Sequence, residues 1–346
     1  MTDRNDPLPR PQHFVHSGTN AAATIASLLV LAAAGAQAQD ASADGTPAGA
    51  FHTMQVGDTR ITALSDGLTV MGPFHPFIGA NVREARVEAA ARRVAPDDPG
   101  VVFNVSGLLI ETTERTVLID TGYGAFAQND AAGHLPASLA AAGVDPSEID
   151  TVLITHGHID HTGGLLADDK ATLRFPNAEV VMTAREFDYW TNGDADMSES
   201  QIPDDFQDFL QTSGATVVNA LGDRLRRVEP DRDAVPGIAM LPGAGHTPGH
   251  VAYEVDLGDR TLVYLGDALH YQPLQFAHPR WDDGADSAPE EGTAFRRRIL
   301  DQVADGDTIV FGPHMPFPGI GRVSRTGDGY AWNPLVWMQN VSEEEQ

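Results

Sequence analysis

The chain has 346 residues, no cysteine, and 22 basic against 49 acidic side chains, a formal charge of -27. A length of this order supports one large domain or two small ones with a buried core. So acidic a surface repels phosphate backbones and excludes nucleic acid as an expected partner; Lys170 is the single lysine, and Arg224, Arg226, Arg227 and the run Arg296 to Arg298 read as solvated helix or loop faces.

In chain order, residues 1–38 read as a signal peptide. Arg4 and Arg10 precede the apolar stretch AAATIASLLVLAAAGA, and Ala36 and Ala38 satisfy a small-x-small cleavage pattern. The stretch is too short and too rich in alanine for a membrane span. The mature protein is therefore expected in the periplasm or outside the cell, with no stable membrane association after cleavage. The absence of cysteine means no disulfides despite export, and removes thiolate ligands and a cysteine nucleophile. Residues 39–50, small and polar with Gly and Pro, read as a flexible linker.

Beyond the linker, β-rich runs alternate with helical ones. RITALSDG is a strand, GPFHPFIGANVREARVEAAARRVAPDDPG is a long excursion with one helix, a candidate lid or dimer contact, and SGLLIETTERTVLIDTG is two strands about a turn. Helices are expected near 135–143, from Ala184, over 203–214 and over 288–306. Strands are expected at IDTVLIT, AEVVMT, the hairpin HVAYEVDLGDRTLVYLGD and DTIVFGPH. Strand pairs interleaved with helices in both halves predict a sandwich of two mixed sheets with helices outside.

The stretch THGHIDHTGG follows the strand DTVLIT, so its histidines sit where a strand stops. Residues two apart project to one side there, which pairs His156 with His158 and sets Asp160 with His161 as a second pair. Later apolar strands end near further metal-binding residue types: His246 in LPGAGHTPGH, Asp267 in LVYLGDALH and His314 in TIVFGPH. His156, His158 and His246 then suit one metal, Asp160, His161 and His314 a second, and Asp267 can bridge both. An all-nitrogen-and-oxygen set of this kind favours two Zn²⁺ ions and also accepts Mn²⁺, Fe²⁺ or Co²⁺. Asp120, at the end of LIDTG, is expected to hydrogen-bond the second nitrogen of a ligand histidine. His250 reads as structural.

These residues resemble the metallo-β-lactamase superfamily, whose hallmark loop matches His156, His158, Asp160 and His161, with His246, Asp267 and His314 following in order. The resemblance implies the αβ/βα four-layer sandwich for a domain over 51–346. Within it the chain looks most like the methyl parathion hydrolase group of exported dinuclear hydrolases, through ITHGHIDHTGGL, YLGDALHYQPLQF and PFPGIGRVSRTGDGYAWNPL. That likeness implies a homodimer and a substrate pocket with aromatic walls at Phe126, Trp190 and the segment after Asp267, including Trp281. His270 stands where phosphotriesterase members carry an apolar residue. A histidine there narrows and polarises the pocket, which suits the carbonyl of a lactone or aryl ester better than a bulky phosphotriester.

The expected chemistry is hydrolysis of a small ester or lactone by water activated between two metals, with Asp267 and Asp160 as the catalytic carboxylates and organophosphate hydrolysis as a side activity. The alternatives are a dedicated phosphotriesterase, a β-lactamase and a non-catalytic metal-binding module. No Gly-x-Ser-x-Gly elbow is present to offer a serine nucleophile.

Overall fold

The computed structural model describes residues 50–192, 195–304 and 306–335. The expected signal peptide over 1–38, and the expected linker as far as residue 49, lie outside the described residues.

The first half builds one seven-stranded sheet in sequential order. A long hairpin opens it, β1 (Phe51–Val56) with β2 (Thr59–Met71). The excursion follows, carrying a short turn α1 (Phe74–Phe77) as well as the expected helix α2 (Glu84–Val94). β3 (Val101–Glu111) and β4 (Thr116–Ile119) pair antiparallel about their turn. After α3 (Leu135–Ala141) come β5 (Thr151–Leu153), the single turn α4 (Ile159–Thr162), β6 (Glu179–Thr183), α5 (Ala184–Thr191), α6 (Asp204–Leu221) and β7 (Leu225–Val228). β4 to β7 run parallel.

The second half builds a second seven-stranded sheet. Its elements are β8 (Asp233–Val235), β9 (Ile238–Pro242), β10 (Val251–Asp256), β11 (Thr261–Tyr264), α7 (Gln272–Gln275), α8 (Pro289–Val303), β12 (Ile309–Phe311), β13 (Ile320–Thr326) and β14 (Gly329–Pro334). β11 and β12 are its parallel pair, joined across α8.

Period-2 alternation places these sheets in the middle of four layers. In β4, Val117 and Ile119 face the other sheet while Leu118 faces helices; in β11, Leu262 and Tyr264 face inward while Val263 faces α8. The inter-sheet core is therefore built from Ile61, Leu108, Ile110 and Ile119 against Tyr253, Tyr264, Ile309 and Phe311. Helices α2, α3 and α6 cover the outer face of the first sheet, and Phe295, Ile299, Leu300 and Val303 of α8 cover that of the second. Among the described residues no helix is long and apolar enough to cross a membrane.

Two sequence expectations change. The helix expected to stop at Gly214 runs on to Leu221: Gly214 is no cap but a close approach, where a Cβ would meet the Trp190 ring at 2.7 Å. Arg296, read as solvated, is fully buried in α8 and donates to the carbonyls of Ala268 and Trp281 and to Asp286. Paired with Asp286 at 3.2 Å, it ties the chain after β11 to the helix that covers it.

Candidate metal centre

Parallel strands in both sheets end at one edge of the sandwich, and the loops leaving them carry the candidate ligands. His156 and His158 leave β5, and Asp160 and His161 occupy the first turn of α4. His246 comes from the β9–β10 loop, Asp267 follows β11, and His314 follows β12. The structure brings all seven together.

His156 Nε2, His158 Nδ1 and His246 Nε2 form a triangle with edges of 2.8, 2.9 and 3.2 Å. Asp267 lies beside it with one oxygen turned each way. Its Oδ2 is 3.1 Å from His246 Nε2 and 3.6 Å from His156 Nε2; its Oδ1 is 3.1 Å from both His161 Nε2 and His314 Nε2. Asp160 Oδ2 completes the second group at 3.5 Å from His161 Nε2 and 3.8 Å from His314 Nε2.

This donor set fits divalent ions. Three imidazole nitrogens converge at spacings slightly below the roughly 3.3 Å separating ligands of a tetrahedral ion with bonds of about 2.0–2.1 Å. His161 Nε2 is buried without a hydrogen bond, an orphaned donor or acceptor of the kind a protein interior does not tolerate without another role. Burial drives His156 and His158 well below the ordinary histidine range, which keeps both as neutral nitrogen donors. Burial opposes ionisation of Asp267, yet the surrounding histidines, His161 first, hold its carboxyl well below the usual range.

The ring nitrogens facing away from the cluster have partners that set each tautomer. His161 Nδ1 meets Asp120 at 2.8 Å, His314 Nδ1 the carbonyl of Asn104 at 2.8 Å, His246 Nδ1 Asp286 at 3.3 Å and His156 Nδ1 the Thr155 hydroxyl at 3.1 Å. Asp120, with a left-handed backbone at φ 57°, also accepts from the Thr155 amide and hydroxyl and from the Tyr264 hydroxyl, each at 2.9 Å. His250 donates to the Gly243 carbonyl and accepts from the Asp267 amide, so it positions Asp267 through its main chain.

A carboxylate that sequence reading missed braces the first group. Glu186 of α5 is fully buried; one oxygen accepts from the Gly157 amide at 2.8 Å and the Trp190 indole at 2.6 Å, the other from the Thr247 hydroxyl at 2.7 Å and the Gly249 amide at 3.0 Å. It thus joins the loop of His156 and His158 to the loop of His246. Nothing in AREFDYWTN separates this glutamate from a solvated helix residue. Asp283 and Asp286, within an acidic loop, were equally silent.

Above the ligands a cavity is walled by Met71, Phe77, Phe103, Ile202, Phe206 and Leu210, with Tyr123, Ala285 and His270 beside them. Of the four substrate-contact candidates only His270 lines it. Phe126 packs in the first-sheet core, with Lys170 4.6 Å above its ring. Trp190 lies behind the ligand loop, edge-on to His158, and Trp281 faces a separate groove. Aromatic type alone did not distinguish wall from core. The excursion after β2 contributes Phe77, so it forms part of the cavity wall.

His270 is clamped. Its Nδ1 is 2.7 Å from Asp283, its Nε2 3.0 Å from Asp267 Oδ2, and its ring stacks on His314 with centroids 5.1 Å apart. Burial alone would lower its pKa, but Asp283 and Asp267 outweigh it and raise it well above the ordinary value.

These features define a class. The model of the metallo-beta-lactamase superfamily matches residues 100–314, and the chain belongs to that superfamily. Its four layers and the ligand loops at one sheet edge are the corresponding fold. Among relatives, N-acyl homoserine lactonase AiiB of Agrobacterium fabrum is 30% identical over 221 residues, 57% of this chain and 76% of that protein. A probable metallo-hydrolase of Mycobacterium bovis is 24% identical over half of this chain, and the match spans 59% of its length. Among solved structures, AidC, a dizinc quorum-quenching lactonase in complex with a product, is 26% identical with a TM-score of 0.77, covering 84% of this chain and 99% of its own. Hydrolase AbOPH in the beta lactamase superfamily is 27% identical with a TM-score of 0.75 over the same shares.

Proposed function

We propose that this protein is a dinuclear metal-dependent hydrolase that opens lactones and cleaves related aryl esters. The observation that carries the reading is Asp267, whose two oxygens face two separate groups of buried ligands beneath a largely apolar cavity. The likeness to AidC and AiiB supports the lactone as substrate class. His156, His158 and His246 would hold one ion, Asp160, His161 and His314 the other, and Asp267 both. When bound, such a pair polarises a carbonyl and lowers the pKa of water from 15.7 toward about 7.

The chain's own residues do the rest. Met71, Phe77, Phe103 and Phe206 exclude bulk water and accept an acyl chain or an aryl ring. Burial holds the Tyr123 phenol well above its ordinary pKa, and its oxygen accepts from the Thr69 hydroxyl, leaving its own proton free to donate to an oxygen in the cavity. His270, held by Asp283, places a second N–H donor against Asp267 and narrows the cavity on that side. A flat ester carbonyl fits this constriction better than a tetrahedral phosphotriester.

The test is steady-state kinetics of metal-quantified protein on an acyl-homoserine lactone, dihydrocoumarin, a p-nitrophenyl ester, methyl paraoxon and nitrocefin. The expected ranking puts a lactone or aryl ester first in kcat/KM. A dominant triester would make this a phosphotriesterase, and dominant nitrocefin turnover a β-lactamase; no turnover by fully metallated protein would favour a binding module.

A further inference from the structure

Beside Trp281 lies a groove of about 970 Å³ whose charged lining residues are mainly basic. It opens between α2, the loop after α7, α8 and the turn of the β13–β14 hairpin. Arg86, Arg280, Arg297 and Arg325 line it, against Asp301 and Asp328. Asp301 is already committed, bound to Arg325 at 2.5 Å and accepting from the Tyr330 hydroxyl at 2.6 Å. Arg86, Arg280 and Arg297 make no ion pair within 4.0 Å among the described residues. In a chain of charge -27, a lining of four arginines against two aspartates is locally positive and departs from the surrounding field.

The groove is also built. Trp281, 5% exposed, anchors its wall from the core side, with the His278 ring stacked on it at 4.0 Å and the Arg86 guanidinium 5.7 Å from its centroid. Asn81 clamps the main chain on both sides of Trp281, donating to the Arg280 carbonyl and accepting from the Asp282 amide. Arg296 holds the Trp281 carbonyl from below. Burial first, then the charges of Arg86 and Arg93, push the His278 pKa down, so that imidazole senses a positive field.

We propose that this groove binds a small organic dianion, its charges met by the Arg86, Arg280 and Arg297 guanidiniums. The ligand is small because the attraction is local. Screening limits the reach of the arginines to about 8 Å at physiological salt, while an extended polyanion would meet the acidic surface beyond the groove and be repelled. Guanidinium forks match carboxylate, sulfonate or phosphate oxygens in two-point contacts. This inference is independent of the reaction proposed above.

The experiment titrates the metal-loaded protein with a benzene disulfonate, a rigid dianion that does not chelate zinc, by calorimetry and by tryptophan fluorescence. Saturable binding at one site is expected, with a fluorescence change abolished in Trp281→Phe. Arg280→Glu and Arg297→Glu should each weaken binding at least tenfold, and Arg280→Ala provides the milder change should a reversed charge disturb folding. Sulfate and phosphate arms, each followed with and without Asp267→Ala, distinguish a sulfonate or sulfate ligand from a phosphate. Binding that survives every arginine substitution, or that disappears with Asp267→Ala, would move the site to the metal cavity and overturn the proposal. So would a response reproduced by sodium chloride at equal ionic strength, which would mean screening only.

Discussion

The two ligand groups are built from the same residue types but braced in different ways. His156, His158 and His246 are held through their loops as well as through the ring contacts of His156 with Thr155 and His246 with Asp286: Glu186 grips the amides of Gly157 and Gly249 and the Thr247 hydroxyl. His161 and His314 are held through their rings, by Asp120 and by the Asn104 carbonyl. The first arrangement sets the distance between two loops from different sheets. The second sets the direction and proton position of single imidazoles. Losing the first brace should therefore disturb a whole group, and losing the second a single ligand.

Asp267 stands outside that contrast because it serves both groups. Asp267→Ala should reduce kcat/KM by at least about 1,000-fold and lower bound metal well below two per chain, by analogy with removing a direct ligand rather than its support. Unchanged turnover in a fully metallated variant would remove it from the mechanism. Chelation tests the pair without mutation: dialysis against a chelator should abolish hydrolysis and lower Tm, because ions that bind only the folded protein stabilise it by mass action. Zinc added back should restore both, and activity resistant to complete demetallation would defeat the dinuclear reading.

Glu186→Gln sharpens the comparison. Its carboxylate accepts four hydrogen bonds, and an amide nitrogen turned toward two of those donors leaves them unsatisfied, each costing about 1–3 kcal/mol. Tm should fall by several degrees, and metal affinity of the first group by about 10–100-fold. Asp120→Asn should weaken the second group by a comparable factor and the first group less, since Asp120 meets the His161 ring directly but reaches His156 only through Thr155. Metal titrations showing the same two-site loss in both variants would erase the proposed difference. The smallest expected effect is that of His270→Leu, which should shift the lactone-to-phosphotriester ratio of kcat/KM by about tenfold, on the order of 1.4 kcal/mol. An unaltered ratio would make His270 a wall residue without influence on substrate choice.

Arg296 illustrates how a tertiary contact reverses a local reading. Next to Arg297 and Arg298 it looks like one more solvated cation, yet α8 turns it inward onto Asp286 and the Trp281 carbonyl. Gly214 does the same for a helix boundary: glycine is a common stop signal, but here its missing side chain admits the Trp190 ring. Glu186 is the strongest case, since its four donors come from Gly157, Trp190, Thr247 and Gly249, three of them remote in sequence.

The residues that gather around Asp267 were legible from the sequence because their signals are local. His156, His158, Asp160 and His161 sit within six positions at a strand end, and His246, Asp267 and His314 each follow an apolar run, so backbone periodicity alone brings them to one edge of a sandwich. That Asp120, another strand-end carboxylate, would meet a ligand histidine follows from the same rule; which histidine, His161, was decided by the packing. What only the tertiary structure decided was the wall and the braces. Cavity shape depends on which side chains from Met71 to Ala285 meet across two sheets, and a buried carboxylate is recognisable only by donors arriving from other loops. Phe126, Trp190 and Trp281 were plausible walls by type and proved to be elsewhere, because packing is a non-local property that residue chemistry does not encode position by position.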